Sequence, residues 1–102
     1  MKAEELSLLA SALSDTNRIE ILRMLAVKEL CACHILGYLG ISQPTLSYHM
    51  KLLTESGLVN ASRRGKWTFY SISRERLGEF AEAIKEIPQE VIGDIPEMEC
   101  KD

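Results

Sequence analysis

Ile41-Ser-Gln-Pro-Thr-Leu-Ser-Tyr-His-Met-Lys-Leu-Leu-Thr-Glu-Ser-Gly-Leu-Val59 is the stretch on which the fold turns. Ser42 is placed to cap a helix by accepting a backbone N–H bond. Pro44 falls in the first turn, where its missing N–H costs nothing. Leu46, Met50 and Leu53 recur at i, i+4 and i+7 and form one stripe to be buried. Gly57 supplies the left-handed residue that ends the helix. With that stripe assigned, Gln43, Thr45, Ser47, Tyr48, His49 and Lys51 remain. These are short or hydrogen-bonding side chains able to meet base edges and phosphates in a major groove. A merely solvated helix would carry more Glu and Lys. The stretch therefore predicts the recognition helix of a helix-turn-helix, with double-stranded DNA as its partner.

The flanking segments agree. Upstream, Leu6, Leu9, Ala10 and Leu13 form a helical stripe that breaks at Ser14-Asp-Thr-Asn17, a run of N-capping residues. A second helix follows with Ile19, Leu22, Leu25 and Ala26 on one face, and a short third helix spans roughly Ala32 to Leu39. Gly40-Ile41-Ser42 is then the turn, with Ile41 as the buried staple. After Gly57 the period changes. Val59 to Arg63 and Trp67 to Ser73 read as two β-strands joined by the basic loop Arg64-Gly65-Lys66, a β-wing. Helix returns near Arg74 with Leu77, Phe80, Ala81, Ile84 and Ile87 at helical spacing, limited by Pro88. The expected fold is mainly α with a small antiparallel β-hairpin: a winged helix-turn-helix over residues 1–87, followed by an acidic tail over residues 88–102.

A chain of 102 residues, 46% hydrophobic, supports one domain with a modest core. No apolar run approaches a membrane span, and the N-terminus enters an amphipathic pattern directly, so a cytoplasmic protein is expected. Net charge is −3, but its distribution is uneven. Residues 42–77 carry six basic and two acidic groups, whereas residues 78–102 carry two basic and eight acidic ones. A positive segment inside an acidic protein is a local footprint for phosphate. The first and last helices lie outside the reading unit. A reader of one half-site gains little specificity alone, so these helices are expected to pair two copies. Nothing supports an enzyme: there is no Ser/His/Asp grouping, phosphate loop or carboxylate pair in a recognisable setting.

Leu13 to Leu25, Glu29-Leu-Cys-Ala-Cys-His-Ile-Leu36, Ser42 to Leu53, Gly57-Leu-Val59 and Arg64-Gly-Lys-Trp-Thr-Phe-Tyr-Ser-Ile72 together resemble the ArsR/SmtB family of bacterial metal-responsive repressors. The resemblance covers roughly residues 4–87. It implies a winged-helix homodimer that binds an inverted-repeat operator and lets go when an effector binds. On this pattern Gln43, Thr45, Ser47, Tyr48 and His49 correspond to positions contacting bases and backbone, and Arg64 and Lys66 to wing tips over the adjacent minor groove. Tyr48 stands where the family often has a second imidazole.

Glu29-Leu-Cys-Ala-Cys33 resembles the inducer site of the arsenic, antimony, cadmium and lead sensors of this family. The chemistry agrees: soft thiolates select thiophilic ions, and a cysteine near a helix N-terminus has its thiolate favoured. The effector expected is As(III) or Sb(III), with no permanent cofactor. In a regular helix, residues i and i+2 lie about 200° apart, whereas in extended chain they share a side. Chelation by both cysteines is therefore expected to need an unwound start to the third helix, which would disturb the turn and the recognition helix. Some relatives carry a third thiol where Leu36 stands; here Cys100, from the tail of either protomer, is the only other thiol, and solvent or an exogenous thiol is the alternative third ligand. His34 reads as a surface residue. The last helix lacks the His/Asp cluster of the family's zinc, cobalt and nickel sensors, which demotes zinc. The alternatives are a cadmium or lead sensor, or a thiol redox or persulfide response. A Cys31–Cys33 disulfide would close a small strained ring, so oxidation points to Cys100 or a sulfenic acid.

Overall fold

The computed structural model describes residues 1–89. Its elements run α1 (Ala3–Ala12), α2 (Thr16–Val27), β1 (Leu30–Cys31), α3 (Ala32–Leu39), α4 (Gln43–Glu55), β2 (Val59–Arg64), β3 (Trp67–Ile72) and α5 (Arg74–Glu86), closed by a 3-10 turn at Ile87–Gln89. Capping side chains set most of the starts. Asp15 accepts from the backbone N–H of Asn17 (2.8 Å) and Arg18 (3.3 Å) at the head of α2. Ser42 accepts from Thr45 N–H (3.3 Å) at the head of α4, and Ser73 from Arg76 N–H (3.1 Å) at the head of α5. These bonds satisfy donors that the first helical turn leaves free. Gly40, at φ 66°, takes the left-handed conformation that closes α3 and opens the helix-turn-helix, and Gly57 does the same after α4 at φ 81°.

One core joins the helices to the base of the wing. Leu9, Ile21, Ile35, Leu53 and Leu58 are fully buried, with Leu22, Leu25, Leu46, Met50, Val59 and Phe80 around them. Three of the expected stripes differ in the residues they bury. In α2 the buried face is Arg18, Ile21, Leu22 and Leu25, while Ile19 and Ala26 are exposed. The stripe keeps its helical spacing but begins at a charged residue, which hides it from a reading by hydrophobicity. In α1, Leu9 and Ala12 are buried and Ala10 is not. In α5 only Phe80 and Ala83 are buried; Ala81 and Ile84 face outward, as does Ile87 in the turn that follows.

The sheet has one more strand than expected. β2 and β3 pair antiparallel from Val59↔Ile72 to Arg64↔Trp67, and β1 adds to the other edge of β3 through Leu30↔Tyr70 and Cys31↔Phe69. A two-residue strand carries no periodicity of its own, so its pairing is visible only once β3 is in place. Among the described residues, five α-helices and a three-stranded antiparallel sheet make an α+β winged helix-turn-helix. Arg76 braces its back: Nε donates to Ser56 O (3.1 Å) after α4 and Nη1 pairs with Glu5 of α1 (2.8 Å). Among the described residues no helix is long and apolar enough to cross a membrane.

Candidate nucleic-acid interface and thiol site

α4 divides cleanly by face. Leu46, His49, Met50 and Leu53 are buried, while Gln43, Thr45, Ser47, Tyr48 and Lys51 are exposed. Beside them the wing presents Arg63, Arg64 and Lys66 at exposed positions. A groove of about 450 Å³ runs between, lined by Gln43 and Ser47 of α4, Arg63 and Lys66 of the wing, and Cys33 of α3. Arg63 is a cation that the sequence reading does not single out. Its place in the groove follows from the β2–β3 register, in which it faces Thr68. Donors, acceptors and cations thus share one open surface, the composition suited to phosphate and base edges.

Arg64 is not free in this arrangement. Its guanidinium makes a two-pronged bridge to Glu29, Nη1 to Oε1 at 2.7 Å and Nη2 to Oε2 at 2.9 Å. It also lies over the Phe69 ring, 4.6 Å from the centroid. The wing cation is therefore held by the carboxylate two residues before Cys31.

His49 departs from its expected place among the groove-reading side chains. It is only 5% exposed. Its Nδ1 accepts from Arg18 Nη1 at 2.9 Å, and Arg18 Nε donates to Ala12 O at 2.8 Å. Arg has donors only, so Nδ1 is the accepting nitrogen and the ring proton sits on Nε2. Nε2 lies 3.9 Å from Asp15 Oδ1. Desolvation pushes the Asp15 carboxyl up. The backbone N–H groups of Arg18 and Asn17, with His49 and Arg18 nearby, outweigh it and hold the carboxyl below its ordinary range. Position 49 fills the i+3 slot between Leu46 and Met50. The i, i+3, i+4, i+7 pattern was complete in the sequence, with an imidazole occupying one core position.

The cysteines meet without distortion of α3. Cys31 is its N-cap, in extended conformation at φ −84°, ψ 160°, and Cys33 is in its first turn. The two residues straddle the helix boundary, so the 200° separation of a regular helix never applies to them. The expected unwinding is not required: the sulfurs are already paired as a disulfide, with Cα atoms 5.4 Å apart, inside the usual range for that bond. Cys31 is buried and Cys33 exposed. His34, exposed as expected, is nevertheless drawn to the pair: its Nδ1 lies 3.1 Å from Cys31 Sγ. The donor atoms of Cys31, Cys33 and His34 all lie within 4.8 Å of one another. Cys100, the other expected ligand, lies outside the described residues.

A family model described as bacterial regulatory protein, arsR family, matches residues 15–61. The chain is 44% identical over 77 residues to an arsenical resistance operon repressor of Staphylococcus xylosus, an alignment spanning 76% of this chain and 74% of that protein. A repressor of the same name from Staphylococcus aureus is 44% identical over 73 residues, spanning 72% of this chain and 70% of that protein. Among solved structures, an ArsR-like transcriptional regulator from Rhodococcus sp. RHA1 superposes with a TM-score of 0.76 at 28% identity, over 84% of this chain and 81% of that one. These relatives are transcription regulators, not enzymes. Fold, motif order and relatives agree: the chain belongs to the arsR family of bacterial regulatory proteins.

Proposed function

We propose that the protein is a homodimeric, cytoplasmic repressor that grips an inverted-repeat operator and releases it when a thiophilic metal(loid), arsenite or antimonite first, binds Cys31 and Cys33. Residues 1–87 form the DNA-binding and dimerisation unit, and residues 88–102 an acidic tail. Gln43, Ser47 and Tyr48 of α4 read base edges, Thr45 and Lys51 hold the backbone, and Arg64 and Lys66 reach the adjacent groove. The names of the relatives support an arsenical response. So does the donor chemistry, since two thiolates select soft ions over hard ones.

The observation that carries this reading is where the sulfurs sit. Cys31 belongs to β1, which pairs with wing strand β3 through Phe69. Cys33 lines the groove between α4 and the wing. An ion on the two sulfurs acts where the inducer segment, the wing and the recognition helix meet. Any effector held more tightly by the released form lowers operator affinity by the same factor. Dimerisation is supported by the outward apolar face of the outer helices, where Leu8, Ile84 and Ile87 are about half exposed (48%, 49% and 52%).

Operator anisotropy, repeated with arsenite, antimonite, cadmium, lead, zinc and an oxidant, tests the reading. Arsenite and antimonite should release DNA at the lowest concentrations. Release by oxidant alone would favour the second reading, a thiol-redox response, for which the Cys31–Cys33 pairing is the specific support. Retention of DNA under every condition would remove the inducer role from the pair.

A further inference from the structure

We infer that His34 is the third protein ligand of the Cys31–Cys33 site, binding through Nδ1, and that this set of two sulfurs and one nitrogen opens the site to tetrahedral divalent ions, cadmium(II) and zinc(II). The inference rests on Cys31 and Cys33 being the inducer site and adds the residue that decides which ions that site takes.

Helix geometry brings the imidazole in. Cys31 is the N-cap of α3, which makes Ala32 its first residue, Cys33 its second and His34 its third. The N-cap and third positions are neighbours across the first turn, as in a capping box, where each side chain reaches the other residue's backbone N–H. Here the pair is thiol and imidazole, with Nδ1 3.1 Å from Cys31 Sγ. Cys33 comes from the other direction, because Cys31 is still extended when the helix begins.

The spacing suits an ion. Zinc–sulfur bonds of about 2.3 Å and zinc–nitrogen bonds of about 2.0–2.1 Å at tetrahedral angles separate neighbouring ligand atoms by roughly 3.5–3.8 Å. The three donors lie within 4.8 Å of one another with the sulfurs still paired, so reduction and a parting of the two sulfurs bring all three to that spacing. Both exposed members, Cys33 and His34, leave the ion accessible from solvent. A dithiol first reduces the disulfide, giving two electrons and two protons and leaving as its own disulfide; the two thiols then release their protons, the imidazole donates the Nδ1 lone pair, and M²⁺ becomes a neutral centre bound by two thiolates and one imidazole. Its remaining tetrahedral position is open to water or another thiolate.

The donor set also separates ion classes. A pyramidal As(III) or Sb(III) centre draws its affinity from thiolates, and two are present whether or not His34 binds. A tetrahedral divalent ion accepts imidazole readily and loses a bond when His34 is removed. A divalent response would then need no His/Asp cluster on the last helix.

Titration of the reduced full chain with cobalt(II) and cadmium(II) tests this, read by the thiolate-to-metal charge-transfer band and, for cobalt, the ligand-field bands. The same titrations are run with Cys100→Ser, so that a tail thiol cannot stand in for the imidazole. His34→Ala should weaken both ions at least about tenfold, since even loss of an outer partner to a metal ligand costs 10–100-fold. It should also change the cobalt ligand-field spectrum, and His34→Cys should restore affinity. Antimonite binding should stay within about threefold of the parent, because both selecting thiolates remain. Superimposable cobalt and cadmium titrations for His34→Ala and its parent, with Cys31→Ser abolishing both, would overturn the role of His34 and leave the cysteine site standing. Unaltered binding in Cys31→Ser and Cys33→Ser as well would overturn both readings.

Discussion

At position 49 the recognition helix turns a hydrogen-bonding side chain inward, where Arg18 needs an acceptor. His49→Ala leaves that buried guanidinium with Ala12 O alone. The expected loss is about 1–3 kcal/mol of stability, the cost of an unsatisfied buried group, measured by urea unfolding. Operator and random DNA should weaken alike; a selective loss on operator would return His49 to base reading. Gln43→Ala is expected to do the opposite. An exposed Gln can bond an adenine in two places, worth about 1–3 kcal/mol of discrimination, so affinity should fall on operator and hold on random DNA. Cys31→Ser and Cys33→Ser should each bind operator normally and ignore arsenite in an anisotropy titration, because Ser lacks the polarizable thiolate. Asp15 carries a pH signature. Its lowered pKa contributes stability above its ordinary value, and that contribution is lost as pH falls through the lowered one.

Among the elements, the wing is the one that the segment carrying Cys31 meets directly. β1 extends the wing sheet and Glu29, just ahead of it, clamps Arg64. A carboxylate beside the wing cation opposes phosphate, so Glu29→Gln is expected to tighten DNA binding and steepen its salt dependence by about one ion. Arg64→Ala should flatten the log–log slope by a similar amount on any sequence. If Glu29→Gln weakens binding instead, the bridge pre-positions Arg64 and does not restrain it. The recognition helix depends on its cap as well: Ser42 bonds both Thr45 N–H and Thr45 Oγ1. Ser42→Ala should cost about 1 kcal/mol by denaturant unfolding.

At the scale of the whole molecule, Leu8 of α1 and Ile84 of α5 are half exposed and meet no apolar cover among the described residues. Ile84→Glu places a charge there. In sedimentation analysis the variant should be monomeric with unchanged helix content. Operator affinity should collapse, because one wing and one recognition helix engage only a half-site. A dimeric Ile84→Glu protein would place the interface elsewhere.

Much of this architecture was written locally. Ser42, Pro44 and Gly57 bracket α4, Leu46, Met50 and Leu53 orient it, and the change of period after Gly57 announces the wing, because caps, turns and periodicity act over a few residues. The Cys-x-Cys pair was legible as a soft-ion site from its resemblance to the family's inducer motif, with thiolate chemistry in support. Contacts between distant segments were not. The β1–β3 pairing, the Glu29–Arg64 bridge and the Arg18–His49 bond join residues about 30 to 40 apart in the chain, and no local pattern reports such distances. The same holds where a polar residue takes a core position: Arg18 and His49 satisfy each other, so each is buried only because the other is there. The tertiary structure also settled which residue lies on which side of the α3 boundary, and that single boundary lets Cys31, Cys33 and His34 converge on an intact helix.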